Sequence, residues 1–196
     1  YPHPVLDRRV SPDGPVPVLS DDDLDDLSAR LVQAAVLAQR AGFTFVDVKH
    51  CHGYLGHEFL SAHTRPGPYG GSLENRTRFL REIVAGIRAE APGLFIGVRV
   101  SAIDTVPFKP DPARSEPGAL GPGIPEDHPI PYDYGFGVDP QHPLKPDLGE
   151  PKALFEILRG LGIRFVNVSL ASPYYNPHYI RPALYPPSDG YHQPED

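Results

Sequence analysis

The sequence predicts an α/β protein built on a parallel sheet, and three observations carry that prediction. Apolar residues recur at helical spacing in three stretches, each followed by a short β-branched or aromatic run. The connections from helix to strand are very short (Ala41-Gly42, Pro92-Gly93, Gly162), whereas those from strand to helix are long, as in folds whose site lies at the C-terminal ends of the strands. Of 26 prolines, only Pro66, Pro68 and Pro92 fall between Val18 and Val106, which leaves that stretch free for regular structure.

The elements follow in order. Ser20 is an N-cap, and Asp21, Asp22 and Asp23 complement the helix dipole in the first turn. Leu24, Leu27, Leu31, Ala34, Ala35 and Ala38 continue at helical spacing until Gly42 stops the helix. Phe43 to Val48 is β-branched and aromatic enough for a buried strand, and it runs into a loop rich in glycine and histidine. A second helix starts near Ser72, presents Leu73, Phe79, Leu80, Ile83, Val84 and Ile87, and ends at Ala91-Pro92-Gly93. Leu94 to Val100 is the second strand. Pro107 to Gly149 has no periodicity and reads as a long excursion from that strand's C-terminal end, a kind of loop that is either functional or disordered. Pro151 at the first helical position opens a third helix through Leu154, Ile157, Leu158 and Leu161, and Gly162 releases the chain into a third strand, Ile163 to Leu170.

Composition bounds the function. At 40% apolar, 10% aromatic and 22% charged residues, the chain matches neither a disordered segment nor a collagen repeat or coiled coil. A formal charge of −7 without any dense Lys/Arg run argues against a nucleic-acid partner. The single cysteine, Cys51, permits no internal disulfide and no four-thiolate metal site, which points to a reducing, cytoplasmic location. Neither a membrane span nor a secretory leader is expected, because no apolar run approaches the ~18 residues a span needs. The opening Tyr1-Pro2-His3-Pro4 reads like the inside of a loop, so residues 1–196 are expected to be one incomplete domain of a longer polypeptide.

The densest chemistry lies in Lys49-His50-Cys51-His52-Gly53-Tyr54, where the first strand meets its loop. Strand alternation puts Asp47 and Lys49 on one face and Val46, Val48 and His50 on the other. Polar groups at a strand's C-terminal end serve catalysis; the structural alternative is a Lys49 to Asp47 pair with hydrogen-bonded imidazoles capping the loop. His50, His52, His57 and His63 with Cys51 also offer metal ligands, but their spacing matches no closed zinc pattern and Lys49 competes, so no metal is expected. Arg99, embedded in an apolar strand, must find an anion: Asp47 or Glu58 within the chain, or a ligand carrying oxygens or negative charge. Asn167 and Ser169 share a face of the third strand and suggest a polar wall.

Four stretches together form a signature: Val46-Asp47-Val48-Lys49-His50-Cys51-His52-Gly53-Tyr54-Leu55; Glu58-Phe59-Leu60-Ser61; Tyr69-Gly70-Gly71-Ser72-Leu73-Glu74-Asn75-Arg76-Thr77-Arg78-Phe79; and Gly97-Val98-Arg99-Val100-Ser101. They resemble the Old Yellow Enzyme family of FMN-dependent NAD(P)H:flavin oxidoreductases, closely over Leu19 to Ser101. The resemblance implies a (β/α)8 TIM barrel of which this chain supplies about strands 4 to 6, with residues 107–149 a proline-rich insertion after strand 5. It implies FMN as cofactor, NAD(P)H as hydride donor, and a small-molecule acceptor such as an activated alkene. Hydride would pass through the flavin to the β-carbon, while His52, with Lys49, stabilises charge on the carbonyl oxygen and Tyr54 protonates the α-carbon. Lys49 departs from the family's usual His. Arg99 falls on the arginine that contacts the flavin ring, and the Tyr69 to Arg76 run is read as architectural. Three strands do not close a barrel that typically needs about 250 residues, so exposed edges would favour self-association into a homo-oligomer. The rival readings are a truncated segment that binds no flavin and a metal-dependent barrel hydrolase.

Overall fold

A computed structural model describes residues 1–181 and 190–195. In chain order the elements are α1 (Leu6–Val10), α2 (Asp21–Arg40), β1 (Phe45–His50), α3 (Leu55–Leu60), α4 (Leu73–Arg76), α5 (Arg78–Glu90), β2 (Phe95–Ser101), β3 (Phe108–Pro110), β4 (Gly123–Pro125), β5 (Val138–Asp139), β6 (His142–Pro146), α6 (Gly149–Gly160), β7 (Phe165–Ser169) and α7 (Pro177–Ile180).

Ser20 caps α2 as its sequence dictates. Its hydroxyl accepts from the Asp23 N–H at 3.1 Å, and the Asp23 carboxylate accepts from the Ser20 N–H at 2.8 Å, a reciprocal capping box. The helix buries Leu24, Ser28, Val32, Ala35 and Val36, so the inward stripe is rotated from the expected one. Leu31 stays largely exposed, and with Leu27, Val46, Val48 and Ile83 it lines an apolar groove along β1. Among the described residues no helix is long and apolar enough to cross a membrane.

β1, β2 and β7 form a three-stranded parallel sheet in that order, which bears out the predicted parallel α/β arrangement. One face is covered. Ile96, Val98 and Val100 of β2 pack with Val46, Val48 and Val166 against Leu80, Ile83, Val84 and Ile87 of α5 and Leu154 and Leu158 of α6. Phe45, Phe95 and Phe165 remain 43%, 61% and 58% exposed on the other face. Burying a large side chain is worth roughly 1.5–3 kcal/mol, so the covered face holds the segment together and the bare face contributes little.

The Tyr69 to Arg76 run is architectural, as expected. The Tyr69 hydroxyl bridges the carboxylates of Asp25 at 2.6 Å and Glu82 at 2.7 Å, and the Ser72 hydroxyl caps α4. Gly70 is required because a Cβ there would sit 2.1 Å from the Arg65 carbonyl oxygen. Arg76 is buried and donates to the carbonyls of Gly71 (2.9 Å) and Leu60 and to the Glu150 carboxylate, tying the loop to the start of α6.

Several boundaries differ from expectation. β1 begins two residues late, which makes Lys49 and His50 strand residues rather than the start of a loop. The helix expected from Ser72 breaks at Thr77, whose hydroxyl donates to the Leu73 carbonyl at 2.8 Å and competes with the helical ladder. α3 was not foreseen because six residues carry too little periodicity. The excursion of residues 107–149 contains two antiparallel pairs, β3 with β4 and β5 with β6. Phe108, Tyr132 and Phe136 anchor it as buried aromatics, and Asp104 exchanges backbone bonds with Phe136 at its root.

Candidate functional site

Parallel register decides which polar side chains meet. Lys49 is paired with Arg99, Arg99 with Asn167, and Ser101 with Ser169 toward the C-terminal ends. Alternation sends these residues to the helix-free face together with Asp47, and sends Val46, Val48 and His50 to the core, as the sequence implied.

Beyond β1 the chain makes a left-handed turn, with φ of +64° at His52 and +73° at Gly53. A non-glycine residue in this region carries strain, and the surrounding groups hold it. The His52 N–H donates to the Ser101 hydroxyl at 3.2 Å, which donates to the Ala171 carbonyl at 2.9 Å. The Ser172 hydroxyl donates to the His52 carbonyl at 3.0 Å. Gly53 lies against the Tyr175 ring so closely that a Cβ would fall 2.8 Å from it. The side chain of His52 is set by a 2.8 Å bond between its Nε2 and the Ser169 hydroxyl. Burial, then Arg99 and Lys49, lower the pKa of His52, so the ring is neutral and offers one nitrogen to another group.

A buried network supports this turn from below. His57 accepts from the Gly53 N–H through Nδ1 at 2.7 Å, which leaves the proton of the neutral ring on Nε2, 3.6 Å from the Asp104 carboxyl. Burial lowers the His57 pKa to about 3 and raises that of Asp104 to about 7, opposed at Asp104 by the Tyr175 hydroxyl that donates to it at 3.2 Å. The ring closes because Tyr175 is the side chain against Gly53.

The other candidates take distinct positions. The Tyr54 hydroxyl is hydrogen-bonded to that of Tyr174 at 2.7 Å, and the Lys49 ammonium sits 3.4 Å from the Tyr54 ring centroid, a cation–π contact in place of a pair with Asp47. Arg99 forms no ion pair with Asp47 or Glu58 among the described residues, and its Nε is buried without a hydrogen-bond partner. Burial raises the Cys51 thiol, the opposite of an activated nucleophile. The imidazoles diverge: His50 is buried beside Phe79, His57 bonds the loop backbone, and His63 bonds the Gly135 carbonyl. Among the described residues no group of three or more His, Cys, Asp or Glu side chains is arranged to hold a metal ion.

Lys49, His52, Tyr54 and Arg99 are thus gathered on one face and rim of the sheet. Sequence reasoning singled out Ser169 only as a wall, His57 only as one of several possible metal ligands and Ser101 only as the end of a signature stretch, and missed Asp104, Tyr174 and Tyr175 altogether. Ser101 could have been found by its two-residue offset from Arg99. Tyr174 gave no signal, because it reaches Tyr54 across 120 positions of chain.

Comparison with known proteins places the chain in a family. The profile of the NADH:flavin oxidoreductase / NADH oxidase family matches residues 13–117, just over half of the chain. An NADPH dehydrogenase of Bacillus pumilus is 46% identical over 88 residues, covering 44% of this chain and 26% of that protein. An NADH:flavin oxidoreductase of Gibberella zeae is 45% identical over 94 residues, covering 46% of this chain and 23% of that protein. The chain therefore spans about a quarter of the length of the curated relatives it matches. In fold, it is similar to a 2-naphthoyl-CoA reductase (TM-score 0.55, 21% identity, 82% of this chain and 20% of that one) and to morphinone reductase (TM-score 0.50, 21% identity, 80% and 33%). The chain belongs to the NADH:flavin oxidoreductase / NADH oxidase family.

Proposed function

We propose that this chain is the middle part of a (β/α)8 barrel, about strands 4 to 6, in an FMN-dependent oxidoreductase that passes reducing equivalents from NAD(P)H to a small acceptor such as an activated alkene. The observation that carries the reading is the convergence of Lys49, His52, Tyr54 and Arg99 on the helix-free face and rim of the sheet. The barrel assignment is supported by β1 and β7 at the sheet's two edges and by three phenylalanines awaiting cover on the bare face. Residues 107–149 are then an insertion after strand 5, and the unpaired edges give the segment a route to self-association.

Arg99 fits the flavin. A guanidinium with an unsatisfied buried Nε on the bare face is suited to an electron-rich ring edge that gains negative charge on reduction. FMN would supply hydride transfer between NAD(P)H and the acceptor. His52 donates a hydrogen bond to the acceptor oxygen from a turn braced by Ser101, Ser169 and Ser172, so little reorganisation is needed as charge develops there. Tyr54 holds the proton for the α-carbon, its hydroxyl positioned by Tyr174.

The test separates the two half-reactions in the full-length flavoprotein. Tyr54→Phe is expected to slow alkene reduction by about 10²–10⁴-fold, the usual worth of a positioned acid, and to leave flavin reduction by NAD(P)H unchanged. Equal slowing of both half-reactions, or purified protein without flavin absorbance, would refute the assignment.

A further inference from the structure

Lys49 and Arg99 place two full positive charges side by side on one face, as partners across β1 and β2. Neither is within ion-pair distance of a carboxylate among the described residues. The acidic side chain nearest in register is Asp47, which lies two pairs further from the C-terminal rim, opposite Gly97, where the charge of Arg99 reaches it without an ion-pair contact. Lys49 is held instead by the Tyr54 ring, and Tyr54 by Tyr174. Its ammonium is therefore oriented beside Tyr54 without being neutralised. His52, across the same rim, is a neutral imidazole whose Nε2 is already hydrogen-bonded to the Ser169 hydroxyl.

These two groups suit different demands. Reduction of a neutral conjugated carbonyl builds a single negative charge on oxygen, which neutral donors can stabilise. A conjugated carboxylate starts with that charge and gains a second, and only a full cation offsets it effectively at short range. If Arg99 serves the flavin, Lys49 is the cation left for the acceptor.

We propose that Lys49 makes this site select an acceptor whose conjugated end is a carboxylate, an α,β-unsaturated acid, over neutral enones and enals. The inference rests on the flavoenzyme reading above and specifies its substrate class. His52 and Lys49 would share the two carboxylate oxygens, and Tyr54 would remain beside the alkene.

Calorimetric titration of the oxidised, full-length holoprotein with trans-cinnamate and trans-cinnamaldehyde tests it. Cinnamate should bind more tightly, and Lys49→Gln should weaken cinnamate by about tenfold or more, the loss of one charge-assisted contact, while cinnamaldehyde stays within about threefold. Lys49→Arg should retain the preference for cinnamate, and added salt should erode it. Preference for cinnamaldehyde, or cinnamate affinity unmoved in Lys49→Gln, would overturn the proposal. So would a loss confined to flavin reduction by NAD(P)H, which would assign Lys49 to the nucleotide phosphates. A protein that holds flavin reducible by NAD(P)H yet binds neither probe overturns the substrate class alone. One without flavin overturns the reading beneath it as well.

Discussion

The two faces of the β1-β2-β7 sheet are written by the same strands and obey different rules. On the covered face, Ile96, Val98 and Val100 are almost wholly enclosed among α5 and α6, and only toward the β7 edge does a side chain, Val168, stay largely exposed among the described residues. On the bare face, three phenylalanines, two cations, Asp47 and Asn167 have no helix over them among the described residues. The contrast is sharpest between neighbours. His50 and Lys49 belong to one polar cluster in sequence, yet His50 is a buried core residue and Lys49 lies at the site rim. Polarity therefore does not locate the site; the face on which a polar residue falls does.

Substitutions on each side test that division. The largest effect is expected for Arg76→Met, because it leaves the Leu60 and Gly71 carbonyls without their donor and removes the cation that the half-exposed Glu150 carboxylate pairs with. Leaving a buried acceptor unsatisfied costs about 1–3 kcal/mol, measurable by urea unfolding. A cost below about 1 kcal/mol would mean that the motif is not the clamp described.

His50→Leu is expected to act in the opposite direction. Both ring nitrogens of His50 are buried without a hydrogen-bond partner, so an apolar side chain of similar size should raise stability by about 1–2 kcal/mol. Burial lowers its pKa to about 4. Between about 4 and the ordinary value of 6.5 the unfolded chain binds the proton and the folded one does not, so stability falls as pH falls through that window. His3 and His178, lowered to about 4 by burial, and His57, lowered to about 3, act in the same sense. Asp104, raised to about 7, acts in the opposite one, since its folded form keeps a proton the unfolded form has lost. His50→Leu should therefore gain more at about pH 5 than at about pH 7; a gain that is larger at pH 7 would contradict the buried, neutral imidazole.

The smallest effect is expected on the bare face. Asn167→Ala should change unfolding stability by no more than about 0.5 kcal/mol, because its exposed side chain supports nothing beneath it. A cost near that of a core truncation would show that this face is packed after all.

Much of the frame was legible in the chain itself. The cap at Ser20, the apolar faces of α5 and α6 and the short helix-to-strand connections depend on neighbours within a few positions, and local physics reads them directly. Alternation likewise assigned Asp47 and Lys49 to one face and His50 to the other before any partner strand was known. The break at Thr77 and the strands within residues 107–149 were not legible, since each depends on what a side chain meets in the fold.

The sequence by itself determined the order of the three sheet strands and of the long helices that precede them, the family signature and the candidate side chains within it. Only the tertiary structure decided their company: that Lys49 rests on Tyr54 rather than pairing with Asp47, that Ser169 holds His52, and that His57, Asp104 and Tyr175 brace the turn from below. The reason is range. Periodicity and capping act over a few residues, whereas these contacts join positions up to 120 apart, and strand register brings such positions together.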